Sequence, residues 1–121
     1  MSNRKLNIES GILGLVVGDA LGVPHEFNPR VHFDENPVTD MVGYGTYNLP
    51  PGTWSDDSSL TLATLDSLAN GLDYNDIMEK FLSWYKDAEY TPYDEVFDIG
   101  GTTRIAISNF NNAKYALSSW M

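Results

Sequence analysis

Cysteine is absent from this chain of 121 residues, and histidine occurs only twice. The lack of cysteine excludes disulfides, thiolate metal sites and cysteine nucleophiles. It fits a reducing compartment, so we expect a cytoplasmic protein. The two histidines, His25 and His32, lack the spacing of zinc ligands, and a zinc site is not supported.

Positive charge is also scarce, with 7 Lys and Arg against 17 Asp and Glu and a net charge of −10. Such a surface repels a phosphate backbone, so we expect no nucleic-acid partner. Hydrophobic residues make up 42% of the chain and aromatic residues 12%, as in folded globules. The length suits one domain, which we expect to span residues 1–121.

A long uncharged hydrophobic run is missing as well. Residues 12–17 are apolar, but Asp19 interrupts the run and no small-residue cleavage site follows. This pattern favours a buried helix over a signal peptide or membrane span, and we expect no membrane partner.

Helical periodicity predicts four helices, at about residues 8–21, 57–69, 75–87 and 102–117. Residues 23–53 are rich in proline and glycine and read as irregular, with room for short elements. Apolar residues cover more than one stripe of the second helix, so we expect it to be largely buried: Leu60, Leu62, Ala63, Leu65, Leu68 and Ala69. In the fourth helix the pattern places these residues inward: Ile105, Ala106, Phe110, Ala113 and Leu117. No strand pattern competes, so the expected fold class is all-α, a helical bundle. The first helix carries four glycines at helical spacing, which predicts close packing of another backbone or a ligand: Gly11, Gly14, Gly18 and Gly22.

The sequence Ser55-Asp56-Asp57 places a hydroxyl and two adjacent carboxylates at a predicted helix start. Oxygen-only groups of this kind suit Mg²⁺ or Mn²⁺. Neighbouring residues at a helix start point about 100° apart, so Asp56 and Asp57 would reach different ions of a metal pair. An ordinary helix cap with acids at the positive end of the helix dipole explains the same residues.

Two further stretches carry candidate residues. Glu26 follows the first predicted helix and is either a solvated loop acid or a functional carboxylate. Asp98 precedes Gly100, Gly101 and Thr102, which form either a loop and N-cap or a helix start whose N–H groups bind an anion.

Three motifs occur together in order: GLVVGDALGVPHEF from Gly14, GTWSDDSSLTLA from Gly52 and DIGGTTRIAI from Asp98. In this combination the chain resembles the ADP-ribosylglycohydrolase family. The resemblance implies an all-α fold around a binuclear Mg²⁺ or Mn²⁺ centre. It also implies hydrolysis of the bond that joins ADP-ribose to a protein side chain or a small acceptor.

The resemblance assigns roles to specific residues. Ser55, Asp56 and Asp57 match metal ligands, and Glu26 matches an acid near the metals. The loop that holds the ribose matches Asp98, Gly100, Gly101 and Thr102. Either Glu26 or Asp98 would take the proton of the attacking water, and the sequence does not choose between them.

Family members are considerably longer and carry a second acidic cluster in their C-terminal part, which this chain lacks. We therefore expect an incomplete ADP-ribosylglycohydrolase domain, completed by a second chain or by a missing continuation. One alternative is a non-catalytic short form that binds ADP-ribose, a metal or a partner protein. Another is a structural helical domain in which every acid is a cap or a surface group.

Overall fold

The computed structural model describes residues 2–116, whose regular secondary structure is helical. It contains α1 (Asn3–Gly22), α2 (Arg30–Glu35), α3 (Asp56–Leu68), α4 (Tyr74–Asp87) and α5 (Gly101–Ala113). Two short 3-10 turns span Val23–His25 and Gly45–Tyr47. No strand occurs in this part of the chain, where an isolated bridge pairs Tyr44 with Leu49. The all-α prediction is confirmed.

The predicted helices correspond to α1, α3, α4 and α5, and α2 was not predicted. It has only six residues and starts after Pro29, inside the segment that reads as irregular. A helix this short has too few turns to show an apolar period. At the other end, α5 stops at Ala113 because Lys114 adopts a left-handed backbone with φ of 58°; Leu117, which ended the predicted helix, lies outside the described residues.

The chain divides into two compact units, with the boundary between Trp54 and Ser55. The first unit holds α1, α2 and both 3-10 turns, and the second holds α3, α4 and α5. The expectation of a single domain over residues 1–121 stays a prediction.

Most apolar side chains of α1 are exposed, and Ala20 is its buried residue. The prediction of a buried helix is therefore wrong for this structure. Within the first unit α1 packs on the 3-10 turn that follows it, which covers only its C-terminal end. A Cβ atom built on each of its four glycines meets no atom of the first unit within 4 Å, so the predicted close packing is not found there.

The segment Asn3–His25 is long and apolar enough to cross a membrane by length and composition. Core helices and N-terminal signal sequences meet the same criterion. The expectation that this helix does not span a membrane stays a prediction.

The loop around Gly45 packs tightly against the end of the Val23–His25 turn. A Cβ at Gly45 would collide with the carbonyl oxygen of Pro24, and one at Gly43 would collide with the ring of Pro51. Gly45 also has a positive φ of 39°. Glycine is required at position 45 because a larger residue would push the two turns apart.

In the second unit, α4 packs against both α3 and α5. The face that α3 buries consists of small residues: Ser58, Ser59, Ala63 and Ser67. The prediction that α3 is largely buried is wrong, because Leu65 and Leu68 are exposed. Small side chains allow close approach, and their hydroxyls are satisfied: Ser67 donates to Asp76 at 2.5 Å and Ser59 to the carbonyl of Tyr90 at 2.9 Å.

The apolar core of the second unit lies mainly between α4 and α5. Its buried members are Met78, Leu82, Trp84, Ile107, Phe110 and Ala116. In α5 the inward positions predicted for Ala106 and Phe110 are confirmed, whereas Ile105 is 60% exposed and Ile107 is buried in its place. Ala113, also predicted to face inward, is exposed. This core fixes α5, whose first turn carries candidate site residues.

Candidate functional site

Ser55 caps the first turn of α3. Its backbone is extended, with φ of −95°, and its Oγ accepts a hydrogen bond from the N–H of Asp57 at 3.3 Å. Asp56 Oδ1 accepts from the same N–H at 3.0 Å. The capping interpretation of this motif is confirmed, and it leaves open a second role for the two carboxylates.

The pKa of Asp56 is raised from its ordinary value to about 6. Burial of the carboxyl is the main cause, followed by repulsion from Asp57 and from Asp98. Hydrogen bonds from Ser55 and from the N–H of Asp57 lower the pKa but do not outweigh these effects. Asp57 and Asp98 thus each lie near enough to Asp56 to repel its carboxylate, and a cation beside Asp56 would relieve this repulsion.

Asp98 leads directly into the start of α5. It has a left-handed backbone with φ of 61°, a conformation that Asp tolerates better than most residues. Gly100 is the N-cap of α5 and provides no side-chain hydrogen bond. A Cβ at Gly101 meets no atom of the second unit within 4 Å, and Thr102 is exposed. The first N–H groups of α5 are therefore open to an anionic group.

Glu26 lies in the first unit, at the end of the Val23–His25 turn. Its Oε2 accepts a hydrogen bond from the hydroxyl of Tyr47 at 2.8 Å, and its backbone carbonyl accepts one from Thr46 Oγ1 at 2.7 Å. The side chain is half-buried. A simple solvated loop acid does not describe this residue, because both its carboxylate and its backbone are held by the Gly45–Tyr47 turn.

No pattern in the sequence indicates the contacts of Thr46 and Tyr47 with Glu26. The hydrogen-bonded residues are 20 and 21 positions apart, in a segment without periodic structure. Only the fold of the first unit shows that they meet.

Ser55, Asp56 and Asp57 are hard oxygen donors, which is the chemistry that Mg²⁺ and Mn²⁺ prefer. Within residues 2–116 no group of three or more His, Cys, Asp or Glu side chains is arranged to hold a metal ion. The donor types and the mutual repulsion of the carboxylates fit a cation, but these residues supply only part of a coordination shell. The metal assignment of Ser55, Asp56 and Asp57 stays a prediction.

Asp56→Asn should stabilise the protein in a pH-dependent way. Because the pKa of Asp56 is raised to about 6, the folded state holds more protons than the unfolded state between its ordinary pKa and that value. Stability is therefore lost as the pH rises through this window. Since the carboxyl is partly solvent-screened, we expect Asn to add only about 1 kcal/mol at pH 7.5 and almost nothing at pH 4.

Urea unfolding at the two pH values, followed by far-UV circular dichroism, measures this difference. Glu89→Gln is the matched control, since it removes an exposed carboxylate from the same unit. A gain for Asp56→Asn that is equal at both pH values would show that ionisation of the Asp56 carboxyl is not its cause.

Known proteins resemble this chain over most of its length. A sequence model of the ADP-ribosylglycohydrolase family matches residues 2–120. An ADP-ribosylarginine hydrolase, Tri1, of Serratia proteamaculans is 40% identical over 104 residues, covering 84% of this chain and 28% of that protein. The ADP-ribosyl-[dinitrogen reductase] glycohydrolase of Rhodospirillum rubrum is 36% identical, covering 81% of this chain and 32% of that protein.

A solved structure agrees with these sequence matches. It is described as an ADP-ribosylglycohydrolase-related protein complex and superposes with a TM-score of 0.69 at 37% identity. The match covers 87% of this chain and 32% of the solved chain. The chain thus spans about a third of the length of the relatives that it matches. On the family match and the fold, this chain belongs to the ADP-ribosylglycohydrolase family.

Proposed function

We propose that this chain carries part of the site of a metal-dependent hydrolase that removes ADP-ribose from a modified protein side chain. The observation that carries the proposal is the acidic cluster at the start of α3, where Ser55, Asp56 and Asp57 adjoin and Asp98 lies near enough to repel Asp56. The names of two relatives favour arginine as the modified side chain. A small ADP-ribosylated acceptor would present the same glycosidic bond.

Ser55, Asp56 and Asp57 would hold Mg²⁺ or Mn²⁺ at the start of α3. When bound, a pair of such ions would supply positive charge to ribose hydroxyls and to the attacking water. The hydroxyl of Ser55 and the two carboxylates would coordinate the ions through their oxygen atoms. With a cation present, Asp56 would stay ionised at neutral pH, which its surroundings otherwise oppose.

The start of α5 would hold the ribose end of the substrate. Open N–H groups at Gly101 and Thr102 would donate to ribose oxygens or to the charged oxygens of the phosphate attached to that ribose. Cleavage at the anomeric carbon develops positive charge on the ribose and needs a positioned water. Asp98 or Glu26 would accept the proton of that water, because each is a carboxylate held in a defined position.

The chain spans about a third of its relatives' length, so we propose that further ligands come from outside it. Either a continuation of the chain or a second polypeptide would supply them. We also propose a cytoplasmic location, which the cysteine-free composition favours.

Binding without hydrolysis is the second candidate function. The open start of α5 would bind an ADP-ribose phosphate even if the acidic cluster stayed incomplete. In that case the chain would be a non-catalytic module for ADP-ribose, a metal or a partner protein.

The experiment compares ADP-ribose release with ADP-ribose binding. The chain, together with the continuation or second polypeptide that supplies the remaining ligands, is incubated with ADP-ribosylarginine or an ADP-ribosylated protein in Mg²⁺, Mn²⁺ or EDTA, and released ADP-ribose is quantified by chromatography. We expect release that requires the metal. Binding heat on titration with ADP-ribose without any release would favour the second candidate, and neither heat nor release in any condition would contradict both.

A further inference from the structure

We infer that Tyr47 is a positioning residue for the carboxylate of Glu26. The inference rests on the proposed function, in which Glu26 is one of two candidates for the carboxylate that accepts the proton of the attacking water. It concerns how this carboxylate is held, and it is carried by contacts within the first unit.

The backbone beside Glu26 is fixed by the Gly45–Tyr47 turn. Thr46 Oγ1 lies 2.7 Å from the carbonyl oxygen of Glu26 and 3.2 Å from that of Pro24. Gly45 approaches Pro24 so closely that no side chain fits between them. The two segments therefore cannot slide past each other without breaking these contacts.

The turn itself is held in an uncommon conformation. Tyr44 and Asn48 lie on either side of it, and both have positive φ angles, of 70° and 53°. The N–H of Tyr44 donates to the carbonyl of Leu49 at 2.5 Å and closes the loop. Asn tolerates this region well, but an aromatic residue such as Tyr44 keeps a positive φ only when its surroundings enforce it, so the backbone beside Tyr47 is held in place.

Tyr47 then reaches the functional group directly. Its hydroxyl donates to Oε2 of Glu26 at 2.8 Å, and both side chains are half-buried. Hydrogen bonds to an ionised carboxylate are short and strong compared with neutral ones. The ring of Phe27 meets the Tyr47 ring edge-on, with centroids 6.3 Å apart. One carboxylate oxygen is thus anchored, and this sets the direction in which the other points.

The positioning of a general base affects kcat more than it affects the binding of substrate. If Tyr47 acts through Glu26, its hydroxyl matters for kcat and only while Glu26 is a carboxylate. A merely structural tyrosine would change KM or stability, and would do so whatever residue stands at position 26.

The test is a double-mutant cycle in this chain, assayed together with the continuation or second polypeptide that completes the site, with Mg²⁺ and ADP-ribosylarginine. Tyr47→Phe should lower kcat about tenfold and change KM less than about twofold. In a Glu26→Gln background, Tyr47→Phe should have no further effect. Tyr44→Phe is the matched control, because its ring belongs to the same loop, is exposed and has no role in holding Glu26; it should match the wild type.

Each outcome is decisive. A wild-type kcat for Tyr47→Phe, or an equal loss with and without Glu26, would overturn the positioning role while leaving the proposed function intact. A wild-type chain that releases no ADP-ribose under any metal condition would instead overturn the proposed function, and the positioning role would fall with it. If Tyr47→Phe lowers kcat in the wild type but not in the Glu26→Gln variant, the result supports both the positioning role and the proposed function.

Discussion

Asp56→Asn combined with Asp57→Asn is expected to lower metal-dependent release of ADP-ribose by about 10³-fold or more. Both carboxylates would be replaced by neutral amides, which bind Mg²⁺ and Mn²⁺ far more weakly. The fold should survive because the Ser55 cap of α3 does not depend on either charge. Release is measured at saturating substrate with Mg²⁺, and far-UV circular dichroism verifies that the helices remain.

A second readout separates metal loss from unfolding. Mg²⁺ should raise the Tm of the wild type and leave the Tm of the double variant unchanged, because ligands stabilise only the state that binds them. Glu89→Gln serves as the control and should keep both the activity and the Mg²⁺ response. Full activity in the double variant would mean that these carboxylates hold no metal needed for the reaction.

Trp84→Ala is expected to lower the free energy of unfolding by about 3–5 kcal/mol. Trp84 is 1% exposed and lies in the core between α4 and α5. Its removal leaves a cavity that small neighbours such as Ala116 cannot fill. Since whole domains are stable by only about 5–15 kcal/mol, this single change would leave the second unit close to unfolding.

Far-UV circular dichroism in urea measures this loss without depending on tryptophan emission. Tyr74→Ala is the matched control, since Tyr74 lies on the same helix and is 55% exposed. We expect it to cost about 1 kcal/mol or less. A loss for Trp84→Ala no larger than that of Tyr74→Ala would show that Trp84 is not part of a packed core.

The helices with clear local signals could be predicted from the sequence. In α4, Asp73 accepts hydrogen bonds from the N–H groups of Asn75 and Asp76, as a capping residue should. The buried Met78, Leu82 and Trp84 lie on one side of that helix. A cap and an apolar stripe are properties of neighbouring residues, so a single sequence contains them.

Which faces are buried was harder to predict, because burial depends on the partner helix. In α3 the leucines looked like the core, yet serines face α4. In α5 a shift of two positions separates the expected Ile105 from the buried Ile107. Hydropathy ranks single residues, whereas the structure selects side chains by the space between two helices.

In the candidate site, too, local features could be predicted from the sequence and features that depend on packing could not. The motif Ser55-Asp56-Asp57 is local and could be singled out from the sequence, including its cap. That Asp98 lies near enough to raise the pKa of Asp56 depends on how α3, α4 and α5 pack. The hydrogen bond from Tyr47 to Glu26 likewise depends on the fold, because no pattern in the sequence links the two residues.

The serine face of α3 has a consequence for how the sequence can vary. Ser58 and Ser67 are completely buried, so alanine or glycine would fit at these positions but leucine would not. A scan for hydrophobic residues would rank both sites as free to change. Even one additional methyl group at these positions would destabilise the packing of α3. Larger side chains there would push α3 away from its neighbours and would displace the acidic residues at its start.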